Sequence, residues 1–565
     1  MKTQTDRRIR LLLAVLLLAF AAALGRAVWL QAVHAAPLAR MAEAQHRTTV
    51  TVPASRGTIY DRNGTLLAVG ERATTVYADP RRVRYPRRAA RVAGRILGLR
   101  PAALVGPLSD RSKHFVYVAR KADPAKAAQL AARKLEGFGF YAEERRAYPQ
   151  RSVAAQVLGF AGVDNRGLEG IEASLDDILA GTAGTETIVK DPIGRAIQVI
   201  DSTPAREGSD VYLTLDHNIQ ANAEAVLAET VRRWQAKAAT AIVLDPRSGE
   251  VLAMASAPGY DANRFPQIVG LDAARTKNRA VTDTYEPGST FKVVTVAGVL
   301  ADGLVSPGTP FDLPYKIQVA DRTIHDSHPR GTQRMSVAQI LSQSSNVGTV
   351  RLAQLLQRER LARWIDRFGF GHATGVAFPG ESSGLVLPAS DWSGSTIGNV
   401  PIGQGIAVTG LQMAGAYAAV ANRGVWVQPH LVRRVDGEPR QAPKRRRVLA
   451  PEVADTVSQL LVGVVDSESG TGGLAAVPGY NVAGKTGTAQ KPEAGGYSKY
   501  RYVASFVGYA PATDPRLVIL VTVDEPRGAI WGGTVAAPAF QSIARFALQY
   551  LEVTPDAPLT AQTAP

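Results

Sequence analysis

The sequence predicts an α+β protein with one N-terminal membrane helix, a β-rich N-terminal module and a larger C-terminal domain. Three observations predict this fold class. A 20-residue apolar segment lies at residues 11–30, and no second one follows it. The composition changes near residues 211–235, where a strand pattern leads into an amphipathic helix. Helical periodicity dominates residues 289–420 and strand patterns return after residue 480, which indicates an antiparallel sheet flanked by helices.

The apolar segment 11–30 reads LLLAVLLLAFAAALGRAVWL and is the candidate membrane anchor. Twenty helical residues are about 30 Å long, enough to cross the hydrocarbon core of a bilayer. Four basic residues lie in residues 1–10, so the positive-inside rule predicts a cytoplasmic N-terminus. We therefore expect a single-pass inner (cytoplasmic) membrane protein with an extracytoplasmic, periplasmic C-terminal domain. A cleaved signal peptide is the alternative, because small residues follow at Ala35 and Ala36.

The net charge of +16 comes from three clusters of basic residues. Residues 1–10 carry +3, residues 81–100 carry +8 and residues 430–447 carry +5, so the rest of the chain is neutral on balance. Because a nucleic-acid-binding domain presents a continuous basic face, we expect no nucleic-acid partner. The two later clusters are interpreted either as solvated surface or as sites of weak association with anionic lipids and cell-wall polymers.

Changes in composition and in secondary-structure pattern along the chain predict the domain boundaries. The β-rich module contains a strong turn at Asn63-Gly64, and the C-terminal residues are rich in Pro, Ala and Thr. The chain has no cysteine, which excludes disulfides, thiolate metal sites and cysteine nucleophiles. The predicted segments are a cytoplasmic N-terminus at 1–10, an anchor at 11–30, an N-terminal module at 31–215, a C-terminal domain at 216–553 and a disordered tail at 554–565.

Residues 479–486 match the P-loop pattern G-x-x-x-x-G-K-[ST] and so suggest a nucleotide-binding protein. A P-loop must lead into a helix, because amides at the helix N-terminus hold the phosphate. Here strand-like residues precede the Gly-Lys-Thr, and a segment rich in Gly and Pro follows it. ATP is also not supplied in the predicted compartment, so the sequence argues against nucleotide binding.

The only Ser-x-x-Lys of the chain joins Ser289 to Lys292, directly after the turn residues Pro287-Gly288. Apolar periodicity after this point predicts a helix, and positions i and i+3 share a helix face. The lysine can activate the serine as a base only if its pKa falls from about 10.4 toward neutrality. Burial and a second cation could lower it. Taken alone, a capping serine and a surface lysine explain the pair equally well.

Two further motifs favour catalysis. Ser344-Ser345-Asn346 lies between two amphipathic helical stretches, and a Lys-Thr-Gly-Thr motif lies on a strand-like segment at residues 485–488. The order Ser-x-x-Lys, Ser-x-Asn, Lys-Thr-Gly is the signature of penicillin-binding proteins and serine β-lactamases. Across about residues 25–553 the chain resembles a class B penicillin-binding protein. The segments that carry the resemblance are GRAVWLQ, SRGTIYDRNG, GLEGIE, YEPGSTFK, GQG, VAGKTGTAQK and WGGTVAAPAF.

The last of these segments, with YVASFVGYAP before it, is more similar to the cell-division (FtsI-type) branch than to the elongation branch. The resemblance implies a pedestal or dimerisation-like module at residues 31–215 and a penicillin-binding transpeptidase domain at 216–553. An elongation-type transpeptidase is one alternative. A D,D-carboxypeptidase or β-lactamase-like hydrolase, which would use the same site, is another.

The resemblance implies that the protein is a peptidoglycan D,D-transpeptidase working by acyl transfer. Ser289 would attack the penultimate D-Ala carbonyl of a stem peptide, and Lys292 would take its proton. Backbone N–H groups of Ser289 and Thr488 would form the oxyanion hole. Ser344 and Lys485 would relay a proton to the departing D-Ala.

The resemblance also implies how the substrate is held. Asn346 would orient the amide of the acyl chain. Lys485, Thr486 and Thr488 would bind the terminal carboxylate, and Gly487 belongs to the same substrate-binding strand. β-Lactam antibiotics resemble the substrate and would trap the serine as a slowly hydrolysed ester.

The implied partners are stem peptides on lipid-linked precursor strands, β-lactams, a membrane glycosyltransferase and division-complex proteins, with no cofactor and no metal.

A class A β-lactamase would need a glutamate in a Glu-x-x-Leu-Asn setting, which is not found here. A β-lactam sensor would need a cytoplasmic output domain or several membrane spans. A bifunctional synthase would need a glycosyltransferase domain with a Glu-Asp motif before residue 215.

Two other groups of polar residues stand out. His325, Asp326 and His328 could hold a metal ion, but their Pro- and Gly-bounded setting is more typical of a polar loop. Arg56, with Asp61 and Glu169 as candidate partners, is a possible source of ion pairs in the N-terminal module, where the resemblance implies packing and no chemistry.

Overall fold

The computed structural model describes residues 2–32, 47–190, 196–264 and 273–558. The chain folds into two compact units. The first combines the residues up to Ser55 with Gly181–Gly208, and the second combines Arg56–Ala180 with the chain from Ser209 onward. Ala35 and Ala36 of the signal-peptide alternative and residues 559–565 of the tail lie outside the described residues.

The first unit contains the N-terminal helix Lys2–Ala32. Within the described residues, its portion Asp6–Ala32 is the one helix long and apolar enough to cross a membrane. The unit also contains a three-stranded antiparallel sheet rich in Thr and Val, residues that favour extended backbone. In spatial order its strands are Arg47–Val52, Gly184–Lys190 and Ala196–Thr203.

The second unit begins with a seven-stranded sheet that joins distant parts of the chain. A turn at Gly64, whose φ is +90°, connects the strands Ile59–Tyr60 and Leu66–Ala78. Asp61 Oδ1 stabilises this turn by accepting hydrogen bonds from the Asn63 and Thr65 amides at 2.8 and 2.7 Å. The strands run in the order Glu438–Pro439, Val432–Val435, Val211–Leu213, Ile59–Tyr60, Leu66–Ala78 and Val116–Ala122, with Phe138–Ala147 also paired to Leu66–Ala78.

A buried ion-pair network stabilises this part of the second unit. Arg56 Nε lies 2.7 Å from a Glu172 carboxylate oxygen, and its Nη1 lies 2.6 Å from Asp176. Arg146 Nε donates to the other oxygen of Glu172 at 2.6 Å. The side chains of Arg56, Arg146 and Glu172 are almost completely buried.

The predicted partners of Arg56 are therefore corrected. Asp61 stabilises the turn described above, and Glu169 accepts a hydrogen bond from the Thr276 hydroxyl. Neither carboxylate contacts Arg56, because the Gly-Leu-Glu-Gly-Ile-Glu segment folds into a short strand and a helix that turns its last glutamate, Glu172, inward.

A five-stranded antiparallel sheet forms the centre of the C-terminal domain and confirms the predicted architecture. Its interior is rich in Val, Ile, Leu and Ala. One face packs against helices His217–Arg233 and Ala537–Tyr550, and the other packs against the helical region that carries the sequence motifs. The strand order is Val251–Ala257, Ala238–Leu244, Leu517–Asp524, Gly496–Ala510 and Ala483–Glu493.

The remaining elements connect these layers. The longer helices are Pro86–Leu97, Pro101–Ser109, Pro124–Ala131, Lys292–Ala301, Val337–Ser342, Asn346–Phe368, Gly410–Ala421 and Pro451–Asp466. The short helices are Ala155–Leu158, Gly170–Ser174, Asp176–Leu179, Arg279–Thr282, Thr396–Asn399 and Gly532–Val535. Short strands lie at Phe160–Ala161, Gly167–Glu169, Thr284–Tyr285, Pro310–Leu313, Lys316–Val319, Arg322–His325, Gln333–Ser336, Val408–Thr409, Val425–Val427 and Arg445–Arg447.

The first residues of the predicted tail are held against the domain. Asp556 accepts a hydrogen bond from the Asn481 amide at 2.7 Å and another from the Thr513 hydroxyl at 2.8 Å. The Ala557 amide donates to the carbonyl of Gly479 at 3.1 Å. These contacts correct the predicted start of the disordered tail at residue 554.

Candidate active site

Ser289 lies in a 3₁₀ turn, Gly288–Phe291, that leads directly into helix Lys292–Ala301. The turn is backed by the Gly-Gln-Gly loop, because the Gly288 amide donates to the carbonyl of Gly403 at 3.0 Å. Gly403 has a φ of +76°, and a Cβ there would lie 2.2 Å from the carbonyl oxygen of Gly288. Only glycine permits this close approach, which fixes the half-buried serine at the surface of the domain.

Lys292 brings the first two motifs together. Its buried Nζ donates to the Ser344 carbonyl at 2.6 Å, to Asn346 Oδ1 at 2.7 Å and to Ser344 Oγ at 3.2 Å. Burial lowers the pKa of Lys292 to about 7, against the opposing effect of the Asp326 carboxylate. An appreciable fraction of this amine is therefore unprotonated near neutral pH, as a base requires.

The Ser-x-Asn motif occupies the turn between helices Val337–Ser342 and Asn346–Phe368. Ser344 has a φ of +60°, a conformation that costs energy for a residue with a side chain. Ser345 caps the second helix by accepting a hydrogen bond from the Gly348 amide at 3.0 Å. The turn thereby directs both Ser344 and Asn346 toward the lysine.

Asp326 supports this turn from the preceding loop, and sequence reasoning missed that role. Its carboxylate accepts hydrogen bonds from the Ser345 hydroxyl and from the Val347 amide, each at 3.0 Å, and forms an ion pair with Arg330. The Asn346 side-chain amide donates to the backbone carbonyl of His325, the residue before Asp326, at 2.9 Å. A lone acid in a polar loop gives no sequence signal for such burial.

The three side chains considered as metal ligands thus have separate partners. The His325 ring lies 2.9 Å from the Asp326 carbonyl oxygen, and the His328 ring packs beside Trp531 with a centroid separation of 5.8 Å. In the described part of the chain, no group of three His, Cys, Asp or Glu side chains is arranged as metal ligands.

The third motif lies on the edge strand Ala483–Glu493 of the five-stranded sheet. Lys485 is fully buried, and both burial and the charge of Lys292 lower its pKa well below the usual value. Its Nζ donates to Thr486 Oγ1 at 3.3 Å, and that hydroxyl is 2.8 Å from the hydroxyl of Thr471. The two lysines therefore share one buried, electropositive site.

Gly487 lets the edge strand pack against the Ser289 turn. A Cβ at Gly487 would lie 2.4 Å from Ser505 Oγ and 2.9 Å from the carbonyl oxygen of Pro287. On the outer side, the Gly532 amide donates to Thr488 Oγ1 at 3.0 Å. The four strand residues 485–488 thus pack directly against the serine turn.

The same strand excludes the P-loop interpretation. Residues 484–486 pair antiparallel with residues 506–508, and the strand continues to Glu493 without a following helix. Because no helix N-terminus follows the Gly-Lys-Thr residues, no phosphate cradle forms here.

Glu286 is a second residue that sequence reasoning missed. Its Oε1 accepts hydrogen bonds from the Gly405 amide at 2.9 Å and from the Tyr497 hydroxyl at 3.0 Å. It therefore ties the Gly-Gln-Gly loop and the hairpin beyond the edge strand to the segment before Ser289. Burial raises the pKa of Glu286. Its position within Tyr-Glu-Pro-Gly-Ser was the one available sequence signal.

Comparison with known proteins defines the class of protein. The family model of the penicillin-binding protein transpeptidase domain matches residues 239–545. The family model of the penicillin-binding protein dimerisation domain matches residues 51–213. The chain belongs to the penicillin-binding proteins, in the class B group that joins these two domains. This confirms the resemblance seen in the motifs, and the chain is a transpeptidase of that class.

Individual relatives refine this assignment. The chain is 38% identical to penicillin-binding protein PbpB of Mycobacterium tuberculosis, covering 97% of this chain and 86% of that protein. It is 33% identical to peptidoglycan D,D-transpeptidase FtsI of Escherichia coli, covering 97% and 93%. The crystal structure of penicillin-binding protein 3 from Mycobacterium tuberculosis, complexed with aztreonam, has a TM-score of 0.70 and 34% identity, covering 91% of this chain and all of that one.

Proposed function

We propose that this protein cross-links peptidoglycan stem peptides by D,D-transpeptidation through an acyl-enzyme on Ser289. The observation that carries the proposal is the buried Lys292 amine, which contacts both polar residues of the Ser-x-Asn motif beside a second buried lysine, Lys485. Similarity to the E. coli FtsI D,D-transpeptidase supports the reaction. Similarity to a structure complexed with aztreonam supports β-lactam binding.

In the acylation step, Ser289 Oγ attacks the penultimate D-Ala carbonyl carbon while its proton passes to unprotonated Lys292 Nζ. Backbone amides of Ser289 and Thr488 stabilise the oxyanion. The C–N bond to the terminal D-Ala then breaks, and the departing amine takes a proton through Ser344 and Lys485. The products are free D-Ala and a serine ester.

In the second step, the amine of a neighbouring stem peptide attacks the ester carbonyl, and Ser289 Oγ departs with a proton. Asn346 orients the acyl-chain amide in both steps, whereas Lys485, Thr486 and Thr488 hold the terminal carboxylate of the donor only before its terminal D-Ala has left. The Asp326 carboxylate next to the site is already engaged by Ser345, Val347 and Arg330. Because it is engaged, it is a poor base for water, which favours transfer over hydrolysis.

The N-terminal helix makes the protein membrane-anchored. We place residues 1–10 in the cytoplasm and the catalytic domain in the periplasm because the basic residues precede the apolar segment. Similarity to FtsI favours a role at the division septum over a role in elongation. Since neither matched domain is a glycosyltransferase, a partner must polymerise the glycan. A membrane glycosyltransferase and other division proteins are the proposed partners.

The test is labelling of the full-length, detergent-solubilised protein with a fluorescent penicillin. We expect labelling of the wild type and of Ser390→Ala, an exposed control, but none of Ser289→Ala. Equal labelling of Ser289→Ala would refute the assignment of the nucleophile. A parallel assay supplies a donor peptide ending in D-Ala-D-Ala with an acceptor amine. Exclusive hydrolysis of the donor, or rapid loss of the penicillin label, would indicate a hydrolase.

A further inference from the structure

The basic cluster at residues 81–100 forms one side of a groove of about 630 Å³ in the second unit. Helix Pro86–Leu97 buries its small residues Ala89, Ala90, Ala93 and Gly94 against the domain and turns its arginines outward. Arg88, Arg91 and Arg95 recur at intervals of three and four, so they lie on one helix face. The cations that line the groove are Arg84, Arg88, Arg91, Arg95, Arg133 and Lys134.

The charge of this groove is almost entirely unpaired. Glu136 is its one acid, and it lies 3.7 Å from Arg84. Within the described ranges, the other five cations of the groove have no carboxylate within 4 Å. Since all six cations are exposed, the groove presents a dense positive surface to an incoming ligand.

The floor of the groove is apolar. Val83, Val92, Ile96 and Leu135 line it between the arginines of the helix and the turn that carries Arg133 and Lys134. Val92, Ile96 and Leu135 are only half-buried, so their apolar surface is still accessible. A purely hydrated polyanion would leave this surface uncovered, whereas an amphipathic segment would bury it.

We propose that this groove docks an acidic, amphipathic helical segment of a partner protein. Its carboxylates pair with the arginine row, whose planar guanidinium groups bind carboxylates in a bidentate geometry. Its apolar side chains contact the floor, as in other grooves that bind helices. The 12-residue helix Pro86–Leu97 is about 18 Å long, which matches three turns of a bound helix.

Fluorescence anisotropy with the full-length protein in detergent tests the proposal. The probe is a labelled 18-residue peptide of Glu, Leu and Ala with Glu and Leu on one helix face. We expect it to bind, and we expect a peptide of the same composition in scrambled order to bind at least about 10-fold more weakly. No measurable binding of the amphipathic probe, or equal binding of the scrambled one, would overturn the proposal.

Matched charge reversals locate the site. Arg88→Glu/Arg91→Glu/Arg95→Glu should weaken binding about 30-fold or more. The control Arg82→Glu/Arg87→Glu/Arg100→Glu makes the same charge change in the same cluster outside the groove, and it should weaken binding less than about 3-fold. Equal effects of the two triple variants would overturn the proposal. The reversals are read in protein whose thermal unfolding matches that of the wild type, and Arg→Gln versions of the same triples provide a milder set.

The floor distinguishes a protein partner from other polyanions. Val92→Ser/Ile96→Ser should weaken the amphipathic peptide about 10-fold. Polyphosphate and phosphatidylglycerol vesicles serve as comparison ligands. Binding of either one as tight as that of the peptide, dependent on the groove arginines but unaffected by the floor variant, would assign the groove to cell-wall phosphate or lipid instead. None of these arms depends on the catalytic assignment.

Discussion

Lys292 and Lys485 are both completely buried, and burial together with the nearby charge of Lys292 lowers the pKa of Lys485. Two ammonium groups in a desolvated site destabilise each other, so the pair favours a state in which at least one of the two amines is neutral. The site therefore keeps a lysine available as a base without a histidine. This relationship supports the proposal that Ser289 is activated as a nucleophile by a neutral lysine.

The first prediction concerns the pH dependence of acylation. In the proposed mechanism Lys292 accepts the proton only when it is unprotonated, and burial lowers its pKa to about 7. The second-order rate constant for penicillin acylation should therefore rise about tenfold per pH unit below about pH 7 and level off above it. Stopped-flow labelling across pH 5–9 measures this profile. A rate that falls with rising pH would contradict the role of Lys292.

A lysine variant supplies the control for that profile. Arginine stays protonated throughout this range, so Lys292→Arg should lower the acylation rate about 100-fold or more at every pH. Lys499→Arg makes the same change on an exposed lysine and should leave the rate and profile unchanged.

The second prediction concerns Asp326, which holds the Ser-x-Asn turn and raises the pKa of Lys292. Asp326→Asn removes the negative charge, so the pKa of Lys292 should fall and the midpoint of the acylation profile should move to lower pH. The rate at the plateau should also drop about tenfold, since the turn loses charge-assisted hydrogen bonds. A plateau loss with an unmoved midpoint would show that Asp326 only supports the turn.

How much of this site the sequence predicts depends on the range of its interactions. The three motifs, their order and their local elements are predicted because each is read from adjacent residues. The roles of Asp326 and Glu286 are not, because the contacts that define them span 19 to 211 residues. The prediction of the partners of Arg56 was wrong for the same reason. The geometry of the helix that carries Glu172, and not proximity in sequence, decides which carboxylate turns inward.

The third prediction concerns Glu286. Its pKa is raised by burial, so the folded state binds its proton more tightly than the unfolded state. Its contribution to stability is fully present below the unfolded pKa of about 4.5 and is lost as pH rises through the folded pKa. Glu286→Gln keeps the acceptor for Gly405 and Tyr497, so the free energy of unfolding should vary less between pH 4 and 7.

Truncation at this position should be more damaging. Glu286→Ala leaves the Gly405 amide without its acceptor and should cost about 1–3 kcal/mol of stability, with slower acylation because the Gly-Gln-Gly loop backs the serine turn. Thermal unfolding and penicillin labelling measure both effects. Equal behaviour of the Gln and Ala variants would contradict a role for the hydrogen bonds.

The last prediction compares a buried ion-pair network of the N-terminal module with a surface ion pair of the same module. Glu172 is completely buried and contacts both Arg56 and Arg146, so Glu172→Gln leaves Arg146 without a compensating charge and leaves Arg56 with Asp176 alone. Such losses cost about 3–5 kcal/mol. The pair of Glu71 and Arg145 spans neighbouring strands, but both side chains are about half exposed, so Glu71→Gln should cost less than about 1 kcal/mol. Denaturant unfolding measures both variants. Similar losses would mean that the buried network contributes no more than a surface pair, and that the Gly-Leu-Glu-Gly-Ile-Glu segment is held by packing alone.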